Sequence, residues 1–284
     1  MPYQDLTIVI TSFNSQEKIF DCLKGINPNI RIIIIENSND NELKEKVEKL
    51  YNNIEVILSK ENLGYGKANN LGLSQVRTKY ALIINPDAQV EDSTIDNFFK
   101  SAKKNPDFAI ISPFIQEQKN LQNIDEKKIN KLIEVVNVKG FAMFLNLKEF
   151  KEVGFFDENF FIYFEEIDLC RRLRENNKKL YLDPDIRVYH LGGSSHDVKI
   201  NYEMELSRNW HWMWSTFYYH RKYNGYFLAF LMIFPKLFSS LFKIIFYTLT
   251  LNRAKKRIYF QRFSGLINSI LLKPSWYRPK ILNV

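Results

Sequence analysis

Arg31-Ile32-Ile33-Ile34-Ile35-Glu36-Asn37-Ser38 is the stretch on which the fold turns. Four consecutive isoleucines leave no polar face, and the run stops at an acid, an amide and a hydroxyl. A strand apolar on both faces belongs inside a parallel sheet with helices above and below it, so Arg31–Ile35 is read as such a strand. Working outward, Leu6–Thr11 is a buried strand on the N-terminal side, followed by a helix near Gln16–Lys24. On the other side come an amphipathic helix at Asn41–Tyr51, a strand at Ile54–Leu58 and a helix at Lys67–Val76. A strand at Tyr80–Ile84, a helix at Ser93–Lys104 and a strand at Phe108–Ser112 continue the pattern. This alternation predicts a doubly wound α/β sheet with ligands at the carboxyl ends of its strands.

Beyond it, Gln116–Lys131 is polar, lacks an apolar period, and reads as a surface loop with a helical turn. Leu132–Leu145 returns to strand character around Gly140, and Leu147–Val153 is a short helix ended by Gly154. Glu165–Asn176 reads as a helix, Lys179–Leu182 and Ile186–Tyr189 as strands, and His190-Leu191-Gly192-Gly193 as a loop. Helices at Tyr202–Tyr223, within Tyr226–Leu251, and from Arg253 to about Leu272 complete the chain.

With 284 residues, 45% hydrophobic and 15% aromatic, the chain can bury a sizeable core, which excludes a disordered class. Cys22 and Cys170 form no CxxC pair and no zinc set, and read as reduced core residues of a cytosolic protein. Met1-Pro2-Tyr3-Gln4-Asp5 leads directly into a strand, so no signal peptide is expected. The net charge of +8 is uneven. Residues 201–284 hold 13 Lys/Arg and 2 acids, a balance of +11, which leaves −3 on the first 200. No acid follows Glu205. The expected division is therefore a catalytic domain over 1–200 and a basic, aromatic-rich helical region over 201–284, suited to an anionic partner.

Small polar side chains gather where strands end. Thr11, Ser12 and Asn14 follow the first strand, and Glu36 and Asn37 follow the second. Hydroxyls and amides there can bond a nucleobase and ribose, and an acid such as Glu36 can take two donors. Ser38 and Asp40 equally suit helix capping. No GxGxxG follows the first strand, which counts against NAD or FAD. Asn62-Leu63-Gly64-Tyr65-Gly66-Lys67-Ala68-Asn69-Asn70-Leu71-Gly72 offers close backbone approach and helix N–H groups to a phosphate, with Lys67 adding charge. Asn85-Pro86-Asp87 ends the fourth strand, where a carboxylate suits a hard divalent ion on a diphosphate, although the tripeptide also suits a β-turn. His190 can complete a metal site, contact phosphate, or serve structure alone. Glu165, Glu166 and Asp168 open a helix directly after a wall of aromatics, Phe155 to Phe164. A helix N-terminus favours acids, and neighbouring rings desolvate them toward general-base range. Most of those rings read as core, with Tyr163 a candidate to stack on an acceptor sugar.

These residues, in this order, resemble the family-2 glycosyltransferases of the GT-A fold, in the bacterial rhamnosyltransferase-like branch, from about Leu6 to Ser195. The resemblance rests on Thr11-Ser12-Phe13-Asn14, Glu36-Asn37-Ser38, Asn62-x-Gly64 through Ala68-x-Asn70-x-Gly72, and Asn85-Pro86-Asp87. It continues through Gly140-Phe141-Ala142-Met143, Gly154-Phe155-Phe156-Asp157-Glu158, Phe164-Glu165-Glu166-x-Asp168-Leu169 and His190. It implies a nucleotide-diphospho-sugar transferase fold, a Rossmann-like mostly parallel sheet flanked by helices, with the helical basic region appended. It implies a metal-dependent inverting hexosyltransferase acting on a nucleotide-sugar, with dTDP-rhamnose a candidate donor. The acceptor would be a lipid-linked saccharide or polysaccharide of the cell surface. Thr11, Asn14 and Glu36 would hold the nucleoside, with Ser12, Asn37, Gly64, Lys67, Asn70, Asn85 and Gly140 around the nucleotide-sugar. Asp87 would bind Mg²⁺ or Mn²⁺, with His190 as a further ligand. Glu166 stands at the base position, with Glu165 beside it and Asp168 close by. Two departures stand out: the metal motif begins with Asn85 rather than Asp, and the base position reads Glu-Glu. A GT-A relative that binds a glycan or nucleotide without turnover is the alternative.

Tyr226–Leu251 is long enough to cross a bilayer, which takes ~20 apolar residues. Pro235, Lys236 and Lys243 interrupt it, so a helix lying in the interface is expected, on the cytoplasmic face of the membrane. Arg253–Arg257 would meet anionic head groups, and Trp210, Trp212 and Trp214 would suit the interfacial belt. A membrane-spanning or re-entrant run, and a packed helix or homodimer interface, are the other readings. Nucleic acid is not expected, because the basic region is also the apolar one.

Overall fold

The isoleucine run forms β2 (Arg31–Glu36), with Ile32 and Ile34 in the core on one side of the sheet and Ile33 and Ile35 in the core on the other. None of the four is more than 2% exposed. The computed structural model describes residues 3–90, 92–113, 131–190 and 200–279. The expected loop Gln116–Lys131, except Lys131, and the Gly192-Gly193 turn lie outside them.

The strands are β1 (Leu6–Ser12), β2, β3 (Ile54–Leu58), β4 (Tyr80–Ile84), β5 (Ala88–Gln89), β6 (Phe108–Pro113), β7 (Ile133–Glu134), β8 (Ala142–Asn146), β9 (Lys179–Asp183) and β10 (Tyr189–His190). Between and after them run α1 (Gln16–Leu23), α2 (Asn41–Leu50), α3 (Tyr65–Ser74), α4 (Asp92–Lys104) and α5 (Glu165–Glu175). Eight strands make one sheet in the order β3-β2-β1-β4-β8-β6-β9-β7, and β5 and β10 form a separate antiparallel ladder. β3, β2, β1 and β4 are mutually parallel, while β8 runs antiparallel to both β4 and β6. The mostly parallel GT-A arrangement therefore stands, with two reversed strands, β8 near its centre and β7 at its edge.

Leu132–Leu145 does not form a single strand. The chain leaves β7, which pairs with β9, and enters β8 between β4 and β6. Residues 135–141 make that crossing without a ladder of their own. The expected helix Leu147–Val153 shortens to a 3-10 turn, Leu147–Phe150, and the strand at Ile186–Tyr189 contracts to β10. Phe144 of β8 anchors one core by stacking on Phe98 and Tyr80 with ring centroids 5.2 and 5.1 Å apart.

Two compact units divide the chain, Met1–Phe156 with Glu166–His196, and Asp157–Glu165 with Asp197–Val284. The second unit is built from α6 (Asn201–Asn224), α7 (Tyr226–Leu249) and α8 (Arg253–Ile270). Gly225, at φ +78°, joins α6 to α7 in a conformation that glycine adopts without strain. Met213, Phe217, Ala229, Ile233 and Leu266 form its core. Trp210 and Trp214 are not interfacial: both are buried, and their indole N–H groups donate to Ser264 Oγ at 3.2 Å and to the Lys273 carbonyl at 3.0 Å. α7 instead carries the apolar exposure, with Phe227, Phe238, Phe242 and Leu249 all more than 60% exposed.

Candidate active site

The strand order reverses at β1, with β2 and β3 on one side and β4 on the other, which is where an open α/β sheet leaves a crevice. Ile10 pairs with Ile84, so the residues after β1 and β4 emerge together. Ser12 pairs with Glu36, and Ala142 of the antiparallel β8 pairs with Ile84. Thr11, Ser12, Asn14, Glu36, Asn37, Asn85, Asp87 and Gly140 thus share one edge of the sheet. The Asn85 N–H donates to the Phe141 carbonyl at 2.9 Å and ties two of these loops together.

Thr11 Oγ1, Ser12 Oγ and Asn14 Nδ2 lie out of solvent with no hydrogen-bond partner among the described residues. Buried polar atoms are almost always paired, so three at one strand end make this edge a candidate place for a ligand. Asn14 adopts φ +49°, which asparagine tolerates, and its N–H donates to Ser38 Oγ at 3.1 Å.

Several other expected site residues make bonds within the scaffold. Glu36, fully buried, accepts from the Ser38 and Asp40 amides at 3.0 and 2.8 Å and from the Ser38 hydroxyl, so its carboxylate organises the 36–40 turn. Asp40 caps α2 by accepting from the Leu43 N–H at 2.9 Å. Asn37 donates to the Gly64 carbonyl at 3.1 Å and fastens the loop that leads into α3. Gly64 takes φ +78° at the start of α3, with Lys67 in the first turn of that helix. Asn70 spends its amide on the Phe156 backbone, donating at 2.9 Å and accepting at 3.0 Å. Asp168 pairs with Arg172 at 2.8 Å, and Arg172 also donates to the carbonyls of Val153 and Phe155. Asp168 thereby holds the approach to the helix.

Glu165 and Glu166 open α5. Glu166 as a whole is half-buried, but its Oε2 is sealed from solvent and has no hydrogen-bond partner among the described residues. Burial pushes this carboxyl above the ordinary glutamate range, against the pull of its own amide, the Lys139 ammonium and the Ile167 amide. Tyr163 and Phe164, just before, adopt φ of +69° and +72°. Such conformations cost about 1–3 kcal/mol each in non-glycine residues and persist where surrounding structure enforces them.

Sequence reasoning passed over three residues here. Lys139 faces Glu166, the Tyr65 hydroxyl donates to the Gly140 carbonyl, and Asn69 Oδ1 is buried without a hydrogen-bond partner among the described residues. All three sit inside or beside stretches already singled out. Lys139 immediately precedes Gly140, and that adjacency was the available signal.

The family pattern of glycosyl transferase family 2 matches residues 7–171. The chain belongs to this family. Among its relatives, the low-salt glycan biosynthesis hexosyltransferase Agl10 of Haloferax volcanii is 26% identical over 196 residues, 61% of this chain and 62% of that protein. The rhamnosyltransferase WbbL of Escherichia coli K12 is 24% identical over 246 residues, 75% of this chain and 91% of that one. In three dimensions the fold resembles that of a mannosyltransferase from Pyrobaculum calidifontis solved with GDP-Man and Mn²⁺. The TM-score is 0.58 at 11% identity, over 95% of this chain and 88% of that one.

A divalent ion is what the family-2 resemblance implies, and the residues fit one of a particular kind. Asp87 is a buried carboxylate, 4% exposed, in a turn closed by the Ala88 N–H on the Asn85 carbonyl at 3.0 Å. β10 brings the His190 backbone opposite Ala88. No cluster of three or more His, Cys, Asp or Glu occurs among the described residues. One carboxylate, one neutral amide and one histidine position suit an ion that draws most of its oxygens from a diphosphate and water rather than from a protein cage.

Proposed function

We propose that this family-2 enzyme transfers rhamnose, or a related deoxysugar, from a nucleotide-sugar such as dTDP-rhamnose to a lipid-linked saccharide or polysaccharide acceptor, with inversion at the anomeric carbon. Glu166 carries the reading. A carboxyl deprived of water and of a partner at one oxygen, in the first turn of a helix, is suited to accept a proton from an incoming hydroxyl. Glu166 takes that proton as the acceptor oxygen bonds to the anomeric carbon and the bond from that carbon to the diphosphate oxygen breaks. Glu165 is the neighbouring candidate for the same task. Thr11, Ser12 and Asn14 offer their unmet hydrogen-bonding capacity to the nucleoside, and the α3 N-terminus with Lys67 offers charge to the phosphates. Asp87 with His190 would hold Mg²⁺ or Mn²⁺, and such an ion would offer positive charge to the diphosphate leaving group.

Residues 1–200 are the catalytic part in this reading, and 201–284 associate with the cytoplasmic face of the membrane, where a lipid-linked acceptor lies. The exposed apolar face of α7, followed by Arg253, Lys255, Lys256 and Arg257, supports that placement.

The test is release of nucleoside diphosphate from a panel of nucleotide-sugars, with Mn²⁺, Mg²⁺ or chelator, beside Asp87→Ala. Expected is metal-dependent release from one donor, lost in the variant. Silence across the panel, with membrane lipid extract as acceptor, favours the non-catalytic binding module instead.

A further inference from the structure

Within the second unit, α6 presents two stripes at helical spacing. Trp210, Met213, Trp214 and Phe217 are buried, with Met213 and Phe217 in the core shared with α7 and α8. The other stripe, His211, Trp212, Ser215, Tyr218, Tyr219 and Lys222, recurs at i, i+1, i+4, i+7, i+8 and i+11, one continuous face of a helix. Each member of that stripe touches the segment 157–165, the run of chain that ends at Glu165.

The contacts follow the segment in order. Lys222 pairs with Asp157 at 2.7 Å, and the Tyr218 hydroxyl donates to the same carboxylate oxygen at 3.0 Å. The Tyr218 ring meets Phe160 edge-on at 4.8 Å, and His211 stacks on Phe161 at 4.4 Å. Ser215 Oγ donates to the Ile162 carbonyl at 3.0 Å. Trp212 packs against Tyr163 and Phe164 at 5.2 and 5.4 Å, and Tyr219 against Phe164 at 5.3 Å. The two residues with positive φ are thus the ones gripped by Trp212 and Tyr219, so the helix supplies the packing that strained backbone needs to persist. The chain's last described residues close over the same place. His211 has one ring nitrogen 2.8 Å from the Tyr277 carbonyl and the other 3.0 Å from Ser275 Oγ, and the Arg278 guanidinium sits 3.8 Å over the Phe161 ring.

We propose that α6 is a positioning element of the transferase. Its second stripe fixes the 157–165 segment, the backbone that ends at Glu165, the first acid of the pair. The C-terminal region then has a task in the reaction besides any association with membrane. The inference rests on the acid pair acting as proposed above, and its test separates the two.

The test uses the full chain carrying Asp157→Asn, Tyr218→Phe with Lys222→Met, or Ser215→Ala, with Lys222→Arg as the conservative partner. A misplacement near 1 Å can cost about 10²-fold in rate. Expected is a fall in kcat of about 10- to 100-fold with the KM for nucleotide-sugar within about twofold of wild type, and recovery in Lys222→Arg. Amide hydrogen exchange is read on the same proteins, expected to accelerate in residues 157–165 and to stay unchanged in β1, β2 and β4. Tyr218→Phe alone removes only a hydroxyl and serves if the double variant fails to fold. Unchanged exchange in 157–165 overturns the proposal whatever the kinetics. So does an unchanged kcat where exchange has risen, or a kcat that falls only together with donor affinity and melting temperature. A wild-type chain that releases no nucleoside diphosphate sinks the transferase reading, while hydrogen exchange still decides whether the stripe holds the segment.

Discussion

A carboxyl held out of water binds its proton more tightly, and Glu166 is in that state. Its pKa in the folded chain lies above the 4.5 of an ordinary glutamate, so within the window between them the folded chain carries more protons than the unfolded one. Stability therefore falls as pH rises through that window. The base that drives the proposed transfer is also a cost to the fold at neutral pH. Replacing it should separate the two effects. Glu166→Gln is expected to melt above the wild type at pH 7 and level with it at pH 4, while turnover falls by about 10²–10⁴ and donor binding survives. Differential scanning calorimetry at the two pH values, beside the turnover assay, decides it. An equal shift in melting at both values means the carboxyl is not desolvated, and near-normal turnover moves the base to Glu165. In the wild type, turnover should decline as pH falls through the raised pKa of Glu166, above the ordinary glutamate range.

Helix contacts in the second unit are close enough to leave no room for a side chain. A Cβ at Gly265 of α8 would sit 2.2 Å from the Trp210 carbonyl oxygen and 3.1 Å from its carbon, so two backbones rather than a pliable side chain would have to separate. Alanine gains roughly 0.5–1 kcal/mol over glycine inside a helix. Overpacking against backbone costs about 1–3 kcal/mol, so the clash wins. Gly265→Ala should lower the melting temperature, and an unchanged or raised value would mean that the helices part easily. Much of this architecture was legible in the sequence. Ile32 to Ile35 gave β2 because four β-branched residues admit few other structures, and the acids after Phe164 marked the start of α5. The direction of β8 was not legible, because Ala142–Asn146 is buried along its whole length and reads alike parallel or antiparallel. Trp210 and Trp214 misled for a similar reason: a membrane belt and a wet-edged core both favour tryptophan, and only their partners Ser264 and Lys273, more than 50 residues away, tell the two apart. At the candidate site, the gathering of Thr11, Ser12 and Asn14 at the end of β1 was legible from the sequence. That Asn70 holds the Phe156 backbone, and that Asp168 holds Arg172 against the Val153 and Phe155 carbonyls, was not, since each depends on a loop distant in sequence.

Charge and apolar exposure coincide on one part of the chain, and their sum decides what that part meets. Residues 201–284 carry +11 against −3 for the rest. α7 is 24 residues long with a mean hydropathy of 1.8 in its most apolar window, of which 17% is buried. Length and composition alone would allow a span. Lys243, however, reaches back to the Tyr259 hydroxyl at 3.3 Å and lies 4.8 Å over that ring, and a central lysine costs about 2.5–3.5 kcal/mol on insertion scales. On the proposed membrane reading, an interfacial helix would keep that lysine in place and still bury Phe227, Phe238 and Phe242 among acyl chains. Arg253, Lys255, Lys256 and Arg257 then add about 1 kcal/mol each against an anionic surface, about 4 kcal/mol together, or roughly a thousandfold in partitioning. The full chain should therefore float with phosphatidylglycerol vesicles and much less with phosphatidylcholine. Binding should weaken between 0.1 and 1 M salt as the Debye length shortens from about 10 to 3 Å. Changing the four basic residues to glutamate should abolish flotation at low salt while nucleoside diphosphate release with a water-soluble acceptor persists. Flotation that ignores both salt and the four substitutions would assign the attachment to α7 alone. Salt-sensitive retention on DNA without vesicle binding would instead assign the basic region to nucleic acid.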